Sequence, residues 1–338
     1  MTKVEEFEKN ILSKIDKDGE VNVAIMTHDY PDPDAIGSAL GMQWILNKKF
    51  LMPSTIYYGG EISHKQNQTM INILNIQMKP KEDYKNQDFI IYVDCKPGRE
   101  TDNIKKCNIC IDHHKGNDVD CEFIQNELVG SCCTLICEYI KHFELNFEDD
   151  IDENVATALF FGIYSDTNEL TSESVTNRDF LACQQLSSHI ERNKLHKIVE
   201  YTIPEYVFEC EQFISQKENF IIQNSFFAGF VGGLSKMKRD VLPILADKMV
   251  RRENIETSII FSVIDNHLEA SVRSRNPSVE VSSLCHKLFG KNYSGGKYGA
   301  GGANVPLGIF GSEIYESAVA DLLKNIIFQK IQDIAKGN

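Results

Sequence analysis

Residues 21–49, VNVAIMTHDYPDPDAIGSALGMQWILNKK, read as a strand, a loop and a helix in succession. The β-branched and apolar run up to Met26 suits a buried strand. Ile36, Leu40 and Trp44, with the residues between them, give the last part a continuous apolar side. The loop between them crowds His28, Asp29, Asp32 and Asp34 into seven positions, punctuated by Pro31 and Pro33. No lysine or arginine stands beside these acids in the sequence.

The same alternation continues outward. STIYYGG, DFIIYVDC and NICIDHH read as further strands, the last two carrying Asp94 and then Asp112, His113 and His114 at their ends. Helical patterns separate or follow them: KQNQTMINILNI, SCCTLICEYIKHF and IDENVATALFFGIYSDTNEL, the last terminating at Asp166 and Thr167. Strands alternating with helices predict an α/β fold with a mostly parallel sheet, whose ligand sites lie outside the carboxyl ends of the strands. The second half predicts a smaller α/β unit. NSFFAGFVGG and TSIIFSVIDNHLEASVRSR are its strands, DVLPILADKMVRRE and VEVSSLCHKLFG its helices, and a closing helix runs from about Ser312 to Ile334. The expected boundaries are a catalytic domain over 1–190, a helical linker over 191–218 and a substrate-binding domain over 219–338.

With 42% hydrophobic and 25% charged residues the chain has globular composition, and no run approaches the ~18 apolar residues of a membrane helix. Its acidic, amphipathic start lacks the basic and apolar regions of a secretion signal, which predicts a cytoplasmic protein with no membrane partner. Ten dispersed cysteines are then expected to be reduced. Cys107 and Cys110 form a C-x-x-C without a second pair at zinc spacing, so buried thiols are the expectation there. The net charge of −14 excludes a global grip on long nucleic acid, which needs many lysine and arginine contacts to phosphate.

Hard divalent cations take carboxylate oxygens, and mixed histidine and carboxylate ligation shifts the preference towards manganese, cobalt or iron. His28, Asp32, Asp34, Asp94, His113 and Asp166 are the candidate ligands, enough for two ions with one carboxylate shared. Two ions ~3.5 to 4 Å apart can activate a water and stabilise a phosphoryl displacement. In the second half, Arg273 and Arg275 precede SGGKYGAGG. The backbone N–H groups of Gly295, Gly296, Lys297, Gly299, Gly301 and Gly302 could bind an anion there.

The motifs HDYPDPDAIGSALG, Val93–Asp94, Asp112–His114 and GIYSDT, in that order, resemble the four motifs of the DHH phosphoesterases. SVRSR followed by SGGKYGAGG is similar to the DHHA1 substrate domain. The resemblance implies an active site between a DHH and a DHHA1 domain and two Mn2+ ions, with Mg2+ or Co2+ as substitutes. One ion would take His28, Asp32 and Asp94, the other Asp34, Asp94, His113 and Asp166. Asp112 would orient His113, and His114 would face the scissile phosphate. This chain has Lys297 and Tyr298 where many relatives carry a histidine. The expected substrate is a nucleotide or a very short oligonucleotide, including 3′-phosphoadenosine 5′-phosphate. Polyphosphate, a cyclic or linear dinucleotide, or binding without turnover are the alternatives, and a homodimer is left open.

Overall fold

The computed structural model describes residues 2–18, 21–85, 87–97, 107–114, 116, 120–297, 299–310 and 316–336. The chain forms two compact units, residues 1–201 and 202–338.

The first unit runs α1 (Lys3–Asp18), β1 (Val23–Asp29), α2 (Pro33–Phe50), β2 (Ser54–Gly59), α3 (Lys65–Ile73), β3 (Met78–Pro80), β4 (Phe89–Val93), β5 (Ile109–Asp112), β6 (Phe123–Asn126), α4 (Cys132–His142), α5 (Asp150–Asp166), α6 (Asn177–Leu186) and α7 (Arg192–Val199). Its six strands are all parallel, in the order β3-β2-β1-β4-β5-β6. The order reverses between β1 and β4, and crevices at such a reversal are where open α/β sheets bind ligands.

The sheet is buried on both faces. Val23 and Ile25 of β1 join the larger core with α1, α2 and α4, while Ala24 and Met26 join a smaller cluster with Tyr57 and Tyr92. That alternation explains why the strand reads as one apolar run. Helix α2 starts where the sequence dictates: Pro33 occupies its first turn, and Asp32 caps it by accepting from the N–H groups of Asp34 (3.1 Å) and Ala35 (3.0 Å). Trp44 is buried and donates its indole N–H to Asp152 of α5 at 2.7 Å. Lys48 bonds the same carboxylate at 3.1 Å.

The second unit runs α8 (Glu205–Ile214), β7 (Phe220–Gln223), β8 (Phe226–Leu234), α9 (Val241–Met249), β9 (Thr257–Ile264), β10 (His267–Ser274), α10 (Val281–Phe289), β11 (Ser294–Lys297), β12 (Ala300–Pro306) and α11 (Glu316–Ala335). Its mixed sheet has the order β11-β12-β10-β9-β8-β7, with only β8 and β9 parallel. The stretch 191–218 divides: α7 contributes Ile198 to a core with α3 and α5, and α8 contributes Val207 and Cys210 to the core around α9. Among the described residues no helix is long and apolar enough to cross a membrane.

The expectation of ten reduced cysteines fails at one pair. Cys107 and Cys121 are joined by a disulfide, with Cα atoms 4.7 Å apart. Register is the reason: Ile109 pairs with Phe123 in the parallel neighbours β5 and β6, so the residues two positions earlier meet. Cys110, on β5, is a buried free thiol that donates to the Cys95 carbonyl.

Candidate metal centre

His28 is the second-last residue of β1, and Asp94 directly follows β4, so both stand at the reversal point of the sheet. Asp94 has φ 57°, a left-handed conformation that aspartate tolerates better than most residues. Such strain gathers at functional sites. Asp32 and Asp34 enter from the start of α2, His113 from the end of β5, and Asp166 from the last turn of α5.

These side chains converge. His28 Nε2 lies 3.7 Å from Asp32 Oδ1 and 3.6 Å from Asp94 Oδ2. His113 Nε2 lies 3.5 Å from Asp34 Oδ2, 3.2 Å from Asp94 Oδ1 and 3.4 Å from Asp166 Oδ2. The groups His28/Asp32/Asp94, Asp34/His113/Asp166 and Asp94/His113/His114 each offer ligand atoms within 4.8 Å of one another. All six residues singled out in the sequence as ligands are thus brought together, with Asp94 in reach of both histidines.

Hydrogen bonding sets the orientation of both rings. His28 Nδ1 is 2.9 Å from the Asp29 carbonyl, and His113 Nδ1 is 3.0 Å from the Val129 carbonyl. A carbonyl only accepts, so each Nδ1 carries a proton and each ring turns its other nitrogen, Nε2, towards carboxylates. Asp94 Oδ1 and His113 Nε2 are buried without a hydrogen-bond partner. A carboxylate oxygen and a ring nitrogen facing each other at 3.2 Å need a cation between or beside them: a proton on the ring or a metal ion. The residues therefore fit a divalent ion.

The electrostatics agree. Burial, followed by the nearby Asp94 charge, pushes the Asp34 carboxyl up to about 7. Burial works against a charged His113, yet the neighbouring carboxylates of Asp94, Asp34 and Asp166 outweigh it and raise the ring to about 10. His28 is raised well above 6.5 despite burial, by Asp32 and Asp94. In the absence of metal the site draws in protons to neutralise its acids.

Asp34 has support that was not visible in the sequence. Its Oδ1 accepts from the Ser131 hydroxyl (2.6 Å) and the Cys133 N–H (2.8 Å), and its Oδ2 from the Cys132 N–H (2.7 Å). It is an anion seated on the N-terminus of α4, where backbone donors and the helix dipole favour one.

Two expectations change. Asp112 does not hold the His113 ring. Its Oδ1 accepts from the His113 and His114 backbone N–H groups (2.9 and 3.2 Å) and pairs with His114 Nδ1 at 2.8 Å. Val129 orients His113 instead, because the ring turns inward from β5 towards the loop after β6. Burial opposes the Asp112 charge, but the bonds from His114 and the charge of Lys96, 3.7 Å away, leave its carboxyl lowered. The acidic loop is also less bare than its sequence: Asp29 pairs with Lys81 at 3.0 Å, which leaves it outside the ligand group.

In the second unit the glycine-rich stretch is a β-hairpin, not an open nest. Gly295 pairs with Gly302, Gly296 with Gly301 and Lys297 with Ala300, and Gly299 turns the chain at φ 69°. The glycines make room for α10. A Cβ on Gly301 would lie 2.7 Å from Val281 and 2.8 Å from Cys285, and one on Gly296 would lie 3.3 Å from the Ser282 nitrogen. Arg273 bonds Asp247 (2.7 Å), the Ser271 hydroxyl (3.1 Å) and the Val272 carbonyl (3.1 Å), and Arg275 bonds the Ile255 carbonyl (3.1 Å). Tyr298 lies outside the described residues.

A strand-end cluster of histidines and aspartates on a parallel sheet thus offers sets of ligand atoms suited to metal ions. Residues 22–163 match the DHH family, N-terminal domain, so the first unit carries a domain of that family. The chain is 30% identical over 329 residues to an uncharacterised protein of Methanocaldococcus jannaschii, covering 96% of this chain and 66% of that one. It is 28% identical over 174 residues to a manganese-dependent inorganic pyrophosphatase of Methanothrix thermoacetophila, covering 49% of this chain and 54% of the relative. The chain thus spans about half to two thirds of the length of these relatives. A crystal structure of an exopolyphosphatase-related protein from Bacteroides fragilis shares the fold, with a TM-score of 0.73 at 17% identity, covering 99% of this chain and 97% of that one.

Proposed function

We propose that the chain is a manganese-dependent phosphoesterase that hydrolyses very short oligoribonucleotides to nucleoside 5′-monophosphates and dephosphorylates 3′-phosphoadenosine 5′-phosphate. The observation that carries the metal part is the facing pair of unpartnered buried atoms, Asp94 Oδ1 and His113 Nε2, flanked by Asp34 and Asp166. His28, Asp32 and Asp94 would hold one ion, and Asp34, Asp94, His113 and Asp166 the other. Bound ions supply positive charge for the phosphoryl oxygens and acidify a water. The mixed histidine and carboxylate set favours manganese, in keeping with the manganese dependence of the Methanothrix pyrophosphatase.

The residues around the ions have their own work. His114 is half exposed, with its Nδ1 held by Asp112 and its charged form favoured first by that bond. It would carry a proton to the leaving oxygen through Nε2. Arg273 and Arg275 are the substrate-binding candidates of the second unit, and the net charge of −14 supports a short substrate.

The test is hydrolysis with Mn2+ of a dinucleotide, a long RNA, 3′-phosphoadenosine 5′-phosphate, a cyclic dinucleotide, pyrophosphate and polyphosphate. The dinucleotide should be cleaved much faster than the long RNA; equal rates overturn the length limit. Preferential release of phosphate from pyrophosphate or polyphosphate would favour the second reading, which the pyrophosphatase relative supports. His114→Ala should lower kcat by about 10²-fold, as removing a general acid does, with Mn2+ still bound.

A further inference from the structure

Asp179 belongs to none of the ligand groups, is fully buried, and accepts from four donors on three residues of the first unit. The Gly130 N–H reaches both of its oxygens at 3.1 Å, the Thr134 hydroxyl reaches Oδ1 at 2.5 Å, and the N–H and hydroxyl of Thr176 reach Oδ2 at 2.7 Å each. The Thr176 N–H bond is one half of the capping box of α6. The bonds to Gly130 and Thr134 do something else. They clamp the β6–α4 connection from 49 and 45 residues away.

That connection touches two of the candidate ligands. Just before Gly130, the Val129 carbonyl fixes His113 Nδ1 at 3.0 Å. Just after it, the Ser131 hydroxyl and the Cys132 and Cys133 N–H groups grip Asp34 at 2.6, 2.7 and 2.8 Å. Gly130 is wedged in place, since a Cβ there would lie 2.6 Å from the Thr167 methyl and 2.9 Å from the Asp179 carboxyl carbon. Beside Asp179, Arg178 straps the start of the connection by bonding Glu127 at 2.6 Å and forking onto Glu138 at 2.7 Å. Charged acceptors make shorter and stiffer hydrogen bonds than neutral ones.

We propose that Asp179 is a positioning residue for the metal centre, setting His113 through Val129 and Asp34 through Ser131 and the first amides of α4. The inference rests on the metal reading above. Groups that orient ligands without touching the ion typically change metal affinity by 10- to 100-fold when removed.

The test titrates the purified full chain with Mn2+, following free ion by electron paramagnetic resonance, and records the visible spectrum with Co2+ as a report on ligand geometry. Asp179→Asn should bind Mn2+ about tenfold more weakly, at the low end of that range, with an altered Co2+ spectrum. Thr134→Val should move both in the same direction by less. Asp152→Asn, which breaks a buried carboxylate network in the same unit away from the ligands, should lower the melting temperature and leave both readouts unchanged. Wild-type Mn2+ affinity and Co2+ spectrum in Asp179→Asn overturn the inference, and if that variant does not fold, wild-type values in Thr134→Val do so. A wild-type chain that takes up no Mn2+ overturns the metal reading itself, and the inference falls with it.

Discussion

In the first unit, strand-end histidines and aspartates face one another with two buried atoms unpartnered. In the second, the arginine at a strand end and the glycines after it are largely bonded to their own protein: Arg273 to Asp247, Ser271 and Val272, the glycines to each other across a hairpin. Both regions advertise a site in sequence, yet among the described residues only the first leaves buried side-chain atoms of its candidate site without a hydrogen-bond partner. Unsatisfied buried groups are costly to leave unmade, so their presence points to something bound, whereas satisfied groups are accounted for by the fold.

The contrast breaks most decisively at Asp94. Asp94→Ala should abolish Mn2+ uptake at both ligand sets and lower kcat by about 10³-fold or more, since metal ions contribute several kcal/mol of charge stabilisation. Activity and metal content measured on the same preparation check this. A variant retaining either would show that the two sets do not share Asp94. The second unit offers no residue with a comparable expected effect.

The next largest effect is a pH dependence whose sign depends on metal. Folding raises Asp34 from 3.8 to about 7 and His113 from 6.5 to about 10. A raised group favours the fold fully below its unfolded value and loses that contribution as pH rises through its folded value. Metal-free protein should therefore lose stability from about pH 4 to 7 through Asp34 and on towards 10 through His113. With Mn2+ the ligands must shed those protons, so stabilisation by the ion should grow over the same range. Melting temperatures from pH 5 to 9, with chelator and with Mn2+, should diverge. Parallel curves would contradict the assignment of these two residues to an ion site.

The first unit was largely legible in the sequence because its signals are local. An apolar run followed by acids, prolines and a capped helix specifies β1, the loop and α2 through adjacent residues, and the same holds for Asp94 at the end of β4 and Asp166 at the end of α5. What escaped were partners set by the fold: Val129 behind His113, Ser131 and the α4 amides around Asp34, and Asp179 behind Gly130. Each depends on a contact between segments far apart in the chain. The Cys107–Cys121 pair escaped likewise, because strand register, not cysteine spacing, brings it together. Strands β3 and β6, of three and four residues, are too short to show periodicity.

Gly301→Ala makes the smallest and most discriminating change. If the glycine-rich stretch were chiefly an anion nest, a methyl group near it would act on substrate affinity. In the structure that methyl would meet Val281 and Cys285 of α10 at 2.7 and 2.8 Å, so its effect should fall on packing between hairpin and helix. Overpacking of this kind typically costs about 1–3 kcal/mol. The expected outcome is a lowered melting temperature or denaturation midpoint with KM for a dinucleotide changed less than about twofold, under 0.5 kcal/mol in binding terms. Arg273→Ala supplies the reference for a true substrate contact: it removes the ion pair to the exposed Asp247, worth little to stability, together with bonds to the Ser271 hydroxyl and Val272 carbonyl of its own strand, and should act on KM. A tenfold rise in KM in Gly301→Ala with stability unchanged would reverse this assignment and make the hairpin itself part of the substrate site.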